Sequence, residues 1–555
     1  MSVTEPASNI KNVFVLMLEN HSFDNIFAMS GIPGINAATV RDCNSYEGKT
    51  YCVKDCAPWS MTTDPGHEFL DVLQQLCGVD AVKNYSGGAY PTVDNSGFVS
   101  SYSTSFTEET GNPAPAHRGD IMACFDTRKQ LPVIYQLATE FAICDQWFSS
   151  LPGPTWPNRF FVHGASSSGW ADSPKSKDEV PWETIRGFRY NHGSIFETLR
   201  NAGHEWRLYN DNHNSYSDDP SGPEYGGWIS QVASLKGISQ LDMHSMARFA
   251  SDVQAKTAEG LAAYNFAYTF IEPNFGRSFF SPQPPYKGPT YKGGSAQHPE
   301  DDPSGGEGLI KAVYEAIRNS PVWNRSLLII VYDEHGGFYD SVRPGSAVPP
   351  ADGIPTGQLT RNASHFDFGH YGVRVPAVIV SPLIPKGTVD HTVYDHTSIL
   401  ATVERLLGLN SLTARDANAN DLRHLLNAPL PREDCPVELV APASAPPDSG
   451  VLEKGLPAVG QLVDEGLNQV EGAIDRVLDD AKSAPDESLP ESGNLIGFLH
   501  ILLKTELECS DLNGDDVAAQ ALILENFKTI NTKSKAHDYV MYVKDKIEAT
   551  QKRFG

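Results

Sequence analysis

The sequence predicts an α/β fold, a mostly parallel sheet covered by helices on both faces, followed by a small all-α C-terminal region. Three observations carry that reading. Apolar runs with the length and branching of buried strands recur at 13–18, 265–271, 327–331 and 374–381, alternating with segments of helical spacing. Residues 306–319, with Leu309, Ile310, Val313 and Ile317 on one face, feed directly into the run at 327–331, an αβ unit of a parallel sheet. Over 431–450 the composition shifts to Pro, Ala and Ser, a linker signature, and beyond it 451–484, 494–509, 515–530 and 535–552 read as amphipathic helices. The expected division is a large domain over 1–430, the linker 431–450 and a helical domain over 451–555.

At 555 residues, with 40% hydrophobic and 10% aromatic residues, the chain can bury a sizeable core. Its net charge of -26 argues against nucleic acid as a partner, because a phosphate backbone is bound by Lys and Arg that displace counterions. Met1 to Lys11 has no basic segment leading into an apolar one, and the run 13–18 is too short for a signal or a span. The expected location is cytoplasmic, or outside the cell by a route not encoded in a signal peptide. Of the eight cysteines, Cys43, Cys52 and Cys56 cluster in one loop, with Cys77 further on. Disulfides and free thiols are both open there, and the spacing lacks the paired C-x-x-C of a zinc site.

The first strand, 13–18, closes on Glu19 and Asn20, and Ser22 is placed to cap a helix through Phe23, Ile26 and Phe27. Residues 31–130 are rich in Gly, Asn, Ser and Asp and read as loops and short elements; within them Asp64-Pro-Gly-His67 is a turn that presents His67. A helical stretch at 131–141 precedes a strand-like one at 142–148. Next, Pro154 and Pro157 stiffen the backbone around Thr155, which fixes one hydroxyl in place, and Arg159 lies close enough to hold an anion. Residues 194–202 form an amphipathic helix, 206–209 a short strand, and 265–271 a strand ending at Glu272. The aromatic and Lys-containing stretch 274–294 is a long surface loop able to touch a lipid surface. The strand at 327–331 ends on adjacent carboxylates, Asp333 and Glu334, then His335 and a glycine pair, with a further strand at 374–381 and helix at 395–407. Asp511 to Asp516 imitates a calcium loop, but Asp516 stands where that loop needs Gly and Leu522 where it needs Glu, so it reads as a helix–helix turn.

One acid at a strand end is unremarkable. Two such pairs, far apart in sequence, share the carboxyl edge where open α/β sheets bind ligands. Glu19, Asn20, Asp333 and Glu334 supply only oxygen donors, which favours one hard divalent cation, Ca2+, Mg2+ or Mn2+. A cation beside the Thr155 hydroxyl lowers its pKa and offsets charge on a phosphoryl group, the two tasks of phosphoryl transfer. His67 and His298 are suited to holding phosphate oxygens or protonating a leaving group, while His335 is assigned to supporting the Gly336-Gly337 turn.

Four motifs carry a family resemblance: Glu19-Asn-His-Ser-Phe-Asp24, Gly153-Pro-Thr-Trp-Pro-Asn-Arg159, Tyr332-Asp-Glu-His-Gly-Gly-Phe-Tyr-Asp340 and Gly372-Val-Arg-Val-Pro-Ala-Val-Ile-Val-Ser-Pro382. In that order, within roughly residues 10–425, they make the chain similar to the phosphoesterases that include bacterial phospholipases C, plant non-specific phospholipases C and a group of acid phosphatases. The resemblance implies an alkaline-phosphatase-like fold and one metal held by Glu19, Asn20, Asp333, Glu334 and the nucleophile Thr155. It implies in-line attack by Thr155 to give a phospho-threonine that water hydrolyses. His67 and His298 fall where the family has phosphate-contacting or acid–base histidines, and His244 matches another more loosely. Two departures, His21 where the family carries an arginine and Ala28-Met29 where a glycine is common, bear on the substrate mouth. The helical C-terminal region lies outside the resemblance.

The expected function is that of a metal-dependent phospholipase C acting on phospholipid, with transient contact to a membrane surface. The close rival is an acid phosphatase of soluble phosphomonoesters. A third reading is a non-catalytic binding protein that uses the helical tail, whose partner the sequence does not identify. A serine hydrolase is disfavoured by the absence of a Gly-x-Ser-x-Gly elbow.

Overall fold

Two apolar runs form the centre of the sheet. β1 (Asn12–Leu18) and β8 (Ser326–Tyr332) are buried at every position, as expected of parallel strands covered on both faces, and they pair from Asn12 opposite Ser326 to Leu18 opposite Tyr332. The computed structural model describes residues 6–104, 112–174, 187–211, 229–275, 294–356, 361–444, 488–489 and 493–554. Within them the other strands are β2 (Cys43–Tyr46), β3 (Lys49–Cys52), β4 (Ala142–Cys144), β5 (Glu205–Asn210), β6 (Met243–Ser245), β7 (Phe266–Glu272), β9 (Ala377–Val380) and β10 (Thr388–Asp390). The main sheet has the order β10-β4-β9-β8-β1-β7-β5-β6. It is parallel except at β9, which runs antiparallel to both its neighbours.

β9 is shorter than the apolar run 374–381 because Pro376 has no N–H for a ladder, so the strand starts after it. The stretch 142–148 is likewise a strand only as far as Cys144. Beyond it, Trp147 and Phe148 make single bridges to Tyr394 and Arg374.

The helices cover both faces in two groups that pack within themselves. One contains Pro132–Glu140, Met246–Gln254 and Ser304–Arg318; the other contains Thr155–Gly164, Ile195–Asn201 and Thr397–Leu407. Residues 31–130 are more ordered than their composition suggests. The β2–β3 hairpin and the helices Phe69–Cys77 and Phe98–Thr104 enclose a small core of their own around Val72, Leu76, Phe98 and Tyr102. A Cys43–Cys52 disulfide closes that hairpin, and Cys56 and Cys77 are free.

Three tail helices are described, Asn494–Asn513, Val517–Lys528 and Lys533–Phe554; the expected helix at 451–484 lies outside the described residues. The first is joined to the second at residues 511–516, where Asp516 accepts from the Ala519 N–H at 2.9 Å as a helix cap. Phe498, Leu499, Leu502 and Leu503 belong to the same apolar core as β1 and β8. Phe498 meets Trp156 and Phe275 edge-on or tilted, with ring centroids 5.8 and 5.2 Å apart, and Lys504 donates to the Ile238 carbonyl at 2.6 Å. Residues past 430 also stay on the body, where Tyr314 donates to the Pro436 carbonyl at 2.6 Å. Among the described residues, no helix is long and apolar enough to cross a membrane.

Candidate active site

Because β1 and β8 end in register, the residues that follow them arrive together. The Asp333 N–H donates to the Leu18 carbonyl at 3.1 Å, and Glu19, Asn20, Asp333 and Glu334 are all fully buried at this edge. The Asn20 side-chain nitrogen donates to Thr155 Oγ1 at 3.0 Å, to Asp333 Oδ1 at 3.3 Å, and to Glu334 Oε1. Three oxygens expected to act together therefore converge on one atom of a fourth residue.

Thr155 opens the Thr155–Gly164 helix, with its hydroxyl at the positive end of the helix dipole. The loop leading to it is held by Asn158. That amide donates to the Gly153 carbonyl at 2.8 Å and the Pro154 carbonyl at 3.1 Å, and its oxygen accepts from the Leu151 N–H at 3.1 Å. Prolines restrict the turn and Asn158 fastens it from inside.

Arg159, expected to meet an anion of the substrate, sits one helical turn below Thr155 and is 1% exposed. Its anions are the protein's own. Nε donates to Asp333 Oδ2 at 2.8 Å, Nη1 to Glu272 Oε2 at 3.0 Å, and Nη2 lies 3.9 Å from Glu19. Glu272 ends β7, so one guanidinium ties three strand ends together. Sequence reasoning named Glu272 as a strand end and missed this role; an acid closing a third buried strand was the available signal.

The buried acids Glu19, Glu272, Asp333 and Glu334 outnumber the cationic partners Arg159 and His67. Burial, reinforced by Asp333, pushes Glu19 well above the carboxylate range against the pull of Arg159. Burial also raises Asp333 to about 7 despite Arg159. Both carboxylate oxygens of Glu19 and the amide oxygen of Asn20 are buried with no hydrogen-bond partner among the described residues. Unsatisfied buried acceptors in an acid-rich, all-oxygen set fit a hard divalent cation, which would satisfy them and restore their charge.

His67 stands over this set. Nδ1 lies 2.6 Å from Glu334 Oε1 and Nε2 3.0 Å from Asp64 Oδ1. Burial opposes charge on His67, but Glu334 and Asp64 outweigh it and raise its pKa well above the ordinary value. Burial likewise opposes charge on Glu334, and His67 with His335 reverses this and holds Glu334 below the carboxylate range. His298 stacks on His67 with centroids 5.3 Å apart; burial lowers its pKa to about 4, so it is neutral. Asp64, His67 and His298 offer ligand atoms within 4.8 Å of one another, a second group able to hold a metal. That use would require His67 to give up its proton. Asp64 was legible in sequence only as part of a turn.

The other residues singled out in the sequence take different places. His244 is on β6 at the sheet edge, opposite Tyr209, which lies level with Ile271 and so with Leu16, short of the strand ends. Its Nε2 is 2.6 Å from Arg207. His335 is buried against Gln75 at 2.7 Å, and its carbonyl accepts from the Phe338 N–H across the glycine turn. His21 does not reach the mouth. It is buried, neutral because burial lowers its pKa to about 4, bonded to Asn25 at 2.7 Å and stacked on Phe338. Arg374, with Nε 2.8 Å from Asp340 and Nη2 3.2 Å from Asp24, stitches three of the four motifs together.

Similarity to known proteins follows this geometry. Residues 10–410 match the Phosphoesterase family, a span that includes every strand of the sheet. The chain is 34% identical to non-specific phospholipase C6 of Arabidopsis thaliana over 479 residues, 82% of this chain and 80% of that one. It is 32% identical to non-specific phospholipase C3 of the same plant, over 78% and 76% of the two chains. Hemolytic phospholipase C of Pseudomonas aeruginosa is 25% identical over 76% of this chain and 57% of its own. Among solved structures, a protein in the alkaline phosphatase superfamily from Vibrio parahaemolyticus matches at 13% identity and a TM-score of 0.27, over 52% of this chain and 64% of that one. The chain belongs to the Phosphoesterase family and is a phosphoric ester hydrolase.

Proposed function

We propose that the protein is a metal-dependent phospholipase C in which Thr155 is the nucleophile. The observation that carries this is the placement of Thr155 Oγ1 at a helix N-terminus, 3.0 Å from the side chain of Asn20, whose neighbour Glu19 has both carboxylate oxygens buried with no hydrogen-bond partner among the described residues. Glu19, Asn20, Asp333 and Glu334, with Thr155, would hold one divalent cation. Bound there, it would lower the pKa of the Thr155 hydroxyl and offset phosphoryl charge. Arg159 keeps the carboxylates in position from beneath, and Asn158 keeps the hydroxyl aimed. Thr155 Oγ1 loses its proton to water and forms the new bond to phosphorus as the bond to the glycerol oxygen breaks. That oxygen leaves as the diacylglycerol hydroxyl with a proton from His67. Water then attacks the phospho-threonine, its proton passing to the released Thr155 oxygen while solvent reprotonates His67. The imidazolium of His67 and the neutral ring of His298 line the position for phosphate oxygens.

The same groups would serve a phosphatase. The names of the relatives support phospholipid as substrate. The test is to give the purified protein phosphatidylcholine and p-nitrophenyl phosphate separately. Release of diacylglycerol is expected. Hydrolysis of the monoester alone would replace this reading with the phosphatase.

A further inference from the structure

The span matched to the Phosphoesterase family ends at residue 410, and the first tail helix, Asn494–Asn513, begins well past it. That helix nevertheless lies against the residues that support the active site. The Gly493 N–H, just ahead of it, donates to the Pro174 carbonyl at 3.1 Å. Beyond its middle, Lys504 donates to the Ile238 carbonyl at 2.6 Å and Glu508 accepts from Ser239 Oγ at 2.6 Å. The helix also packs on the turn Gln231–Ser234, whose Val232 N–H donates to Glu272 Oε1 at 3.0 Å. Glu272 Oε2 accepts from Arg159 at 3.0 Å, so this turn is one step from the strand-end carboxylates.

Two adjacent residues carry the contact inward. Gly497 backs onto the indole of Trp156 so closely that a Cβ there would lie 2.1 Å from Cζ2. Glycine is a poor residue for a helix interior, and here it admits an approach that any side chain would block. Trp156 is buried and follows Thr155 directly on the Thr155–Gly164 helix. Phe498 meets Phe275, with ring centroids 5.2 Å apart, and the Arg159 guanidinium carbon lies 5.4 Å from the Phe275 centroid. Arg159 donates to Asp333, and Asn20 donates both to Asp333 and to Thr155 Oγ1. One path from the tail therefore runs along the helix backbone and the other through the buried carboxylates. Both end at the Thr155 hydroxyl. Interiors packed this closely pass on a displacement rather than absorb it.

We infer that Gly497 and Phe498 are positioning residues for phosphoryl transfer: the tail helix braces Trp156 and Phe275 and so sets the line of attack of Thr155. This rests on the reading of Thr155 as nucleophile, and it makes the first tail helix an extension of the catalytic frame.

The test uses two variants of the full-length protein. Phe498→Ala removes one contact, and Gly497→Ala pushes one carbon into the other. Each is measured where it keeps the wild-type near-ultraviolet circular dichroism, and either one suffices. On whichever of dioctanoylphosphatidylcholine and p-nitrophenyl phosphate the wild type cleaves, kcat should fall by about tenfold or more with KM within about twofold. Phe498→Leu, which keeps apolar bulk, should stay close to the wild type. Trp156→Phe, which shortens the ring, should cost less in the Gly497→Ala protein than in the wild type. Binding gives the same answer without turnover. Orthovanadate becomes five-coordinate when a hydroxyl joins it and so reads the alignment of Thr155, whereas inorganic phosphate stays tetrahedral. By calorimetry, both variants should bind vanadate about tenfold more weakly and phosphate within about twofold of the wild type. Unchanged kcat and vanadate affinity, equal losses for vanadate and phosphate, or additive losses with Trp156→Phe overturn the inference. If Thr155→Ala binds vanadate as tightly as the wild type, the nucleophile reading fails separately.

Discussion

Arg159 Nε donates to Asp333 Oδ2 at 2.8 Å from one helical turn below Thr155, so the helix that presents the hydroxyl also anchors the carboxylates opposite it. Nucleophile and carboxylates are thereby parts of one rigid arrangement. Arg159→Met leaves Asp333 and Glu272 buried without their cation, and breaking such a pair costs about 3–5 kcal/mol. The expected result is a large drop in the denaturation midpoint together with loss of turnover. Arg159→Lys should rescue little, because a single ammonium does not reproduce a fork that reaches two acids. Unaltered stability in Arg159→Met would contradict the role assigned here.

Thr155→Ala is expected to lower turnover by about 10³-fold or more, the loss typical of removing a nucleophile. Its urea midpoint should stay close to that of the wild type, since the hydroxyl is a small part of the buried network. Full activity in this variant would remove Thr155 from the mechanism.

Elemental measurement should find about one divalent cation per chain, and chelation should abolish activity and lower the melting temperature, because a ligand bound only by the native state stabilises it. Glu19→Gln should weaken cation binding in a direct titration without unfolding the protein. A chelator-treated protein that is metal-free and fully active would end the metal proposal.

A pH effect is expected away from the site. Glu404 is buried beside Asp416, and burial, then the neighbouring carboxylate, raise it from 4.5 to about 9. A carboxyl raised on folding contributes stability that is complete below its unfolded value of 4.5 and is lost as pH rises through about 9. Glu404→Gln, which stays neutral, should therefore gain on the wild type between pH 5 and 9, by at most about 1.4 kcal/mol per pH unit. Parallel stability profiles for the two proteins would show that Glu404 does not titrate in this way.

The strand ends were legible because parallel strands buried on both faces are written as unbroken apolar runs, and Glu19, Asn20, Asp333 and Glu334 interrupt those runs. What they touch was not. Arg159 reads as an anion holder in any sequence; only the fold shows that Asp333 and Glu272 occupy it. His67 was conspicuous in its turn, whereas its bond to Glu334 spans 267 residues and follows from tertiary packing alone. His244 fails for a different reason: its strand has three residues, too short to carry a period, so its level in the sheet could not be read. In the tail, helical spacing announces a buried face without naming its partner, and that partner includes Trp156.

The flush endings of β1 and β8 constrain how such an enzyme can change over time. Leu18 and Tyr332 are opposite, and successive side chains on a strand alternate faces. Deleting one residue from either strand would swing its terminal acids to the other side and separate them from their partners. Descendants of this protein are therefore free to lengthen or trim the connections around the site, while the two central strands must gain or lose residues together or not at all.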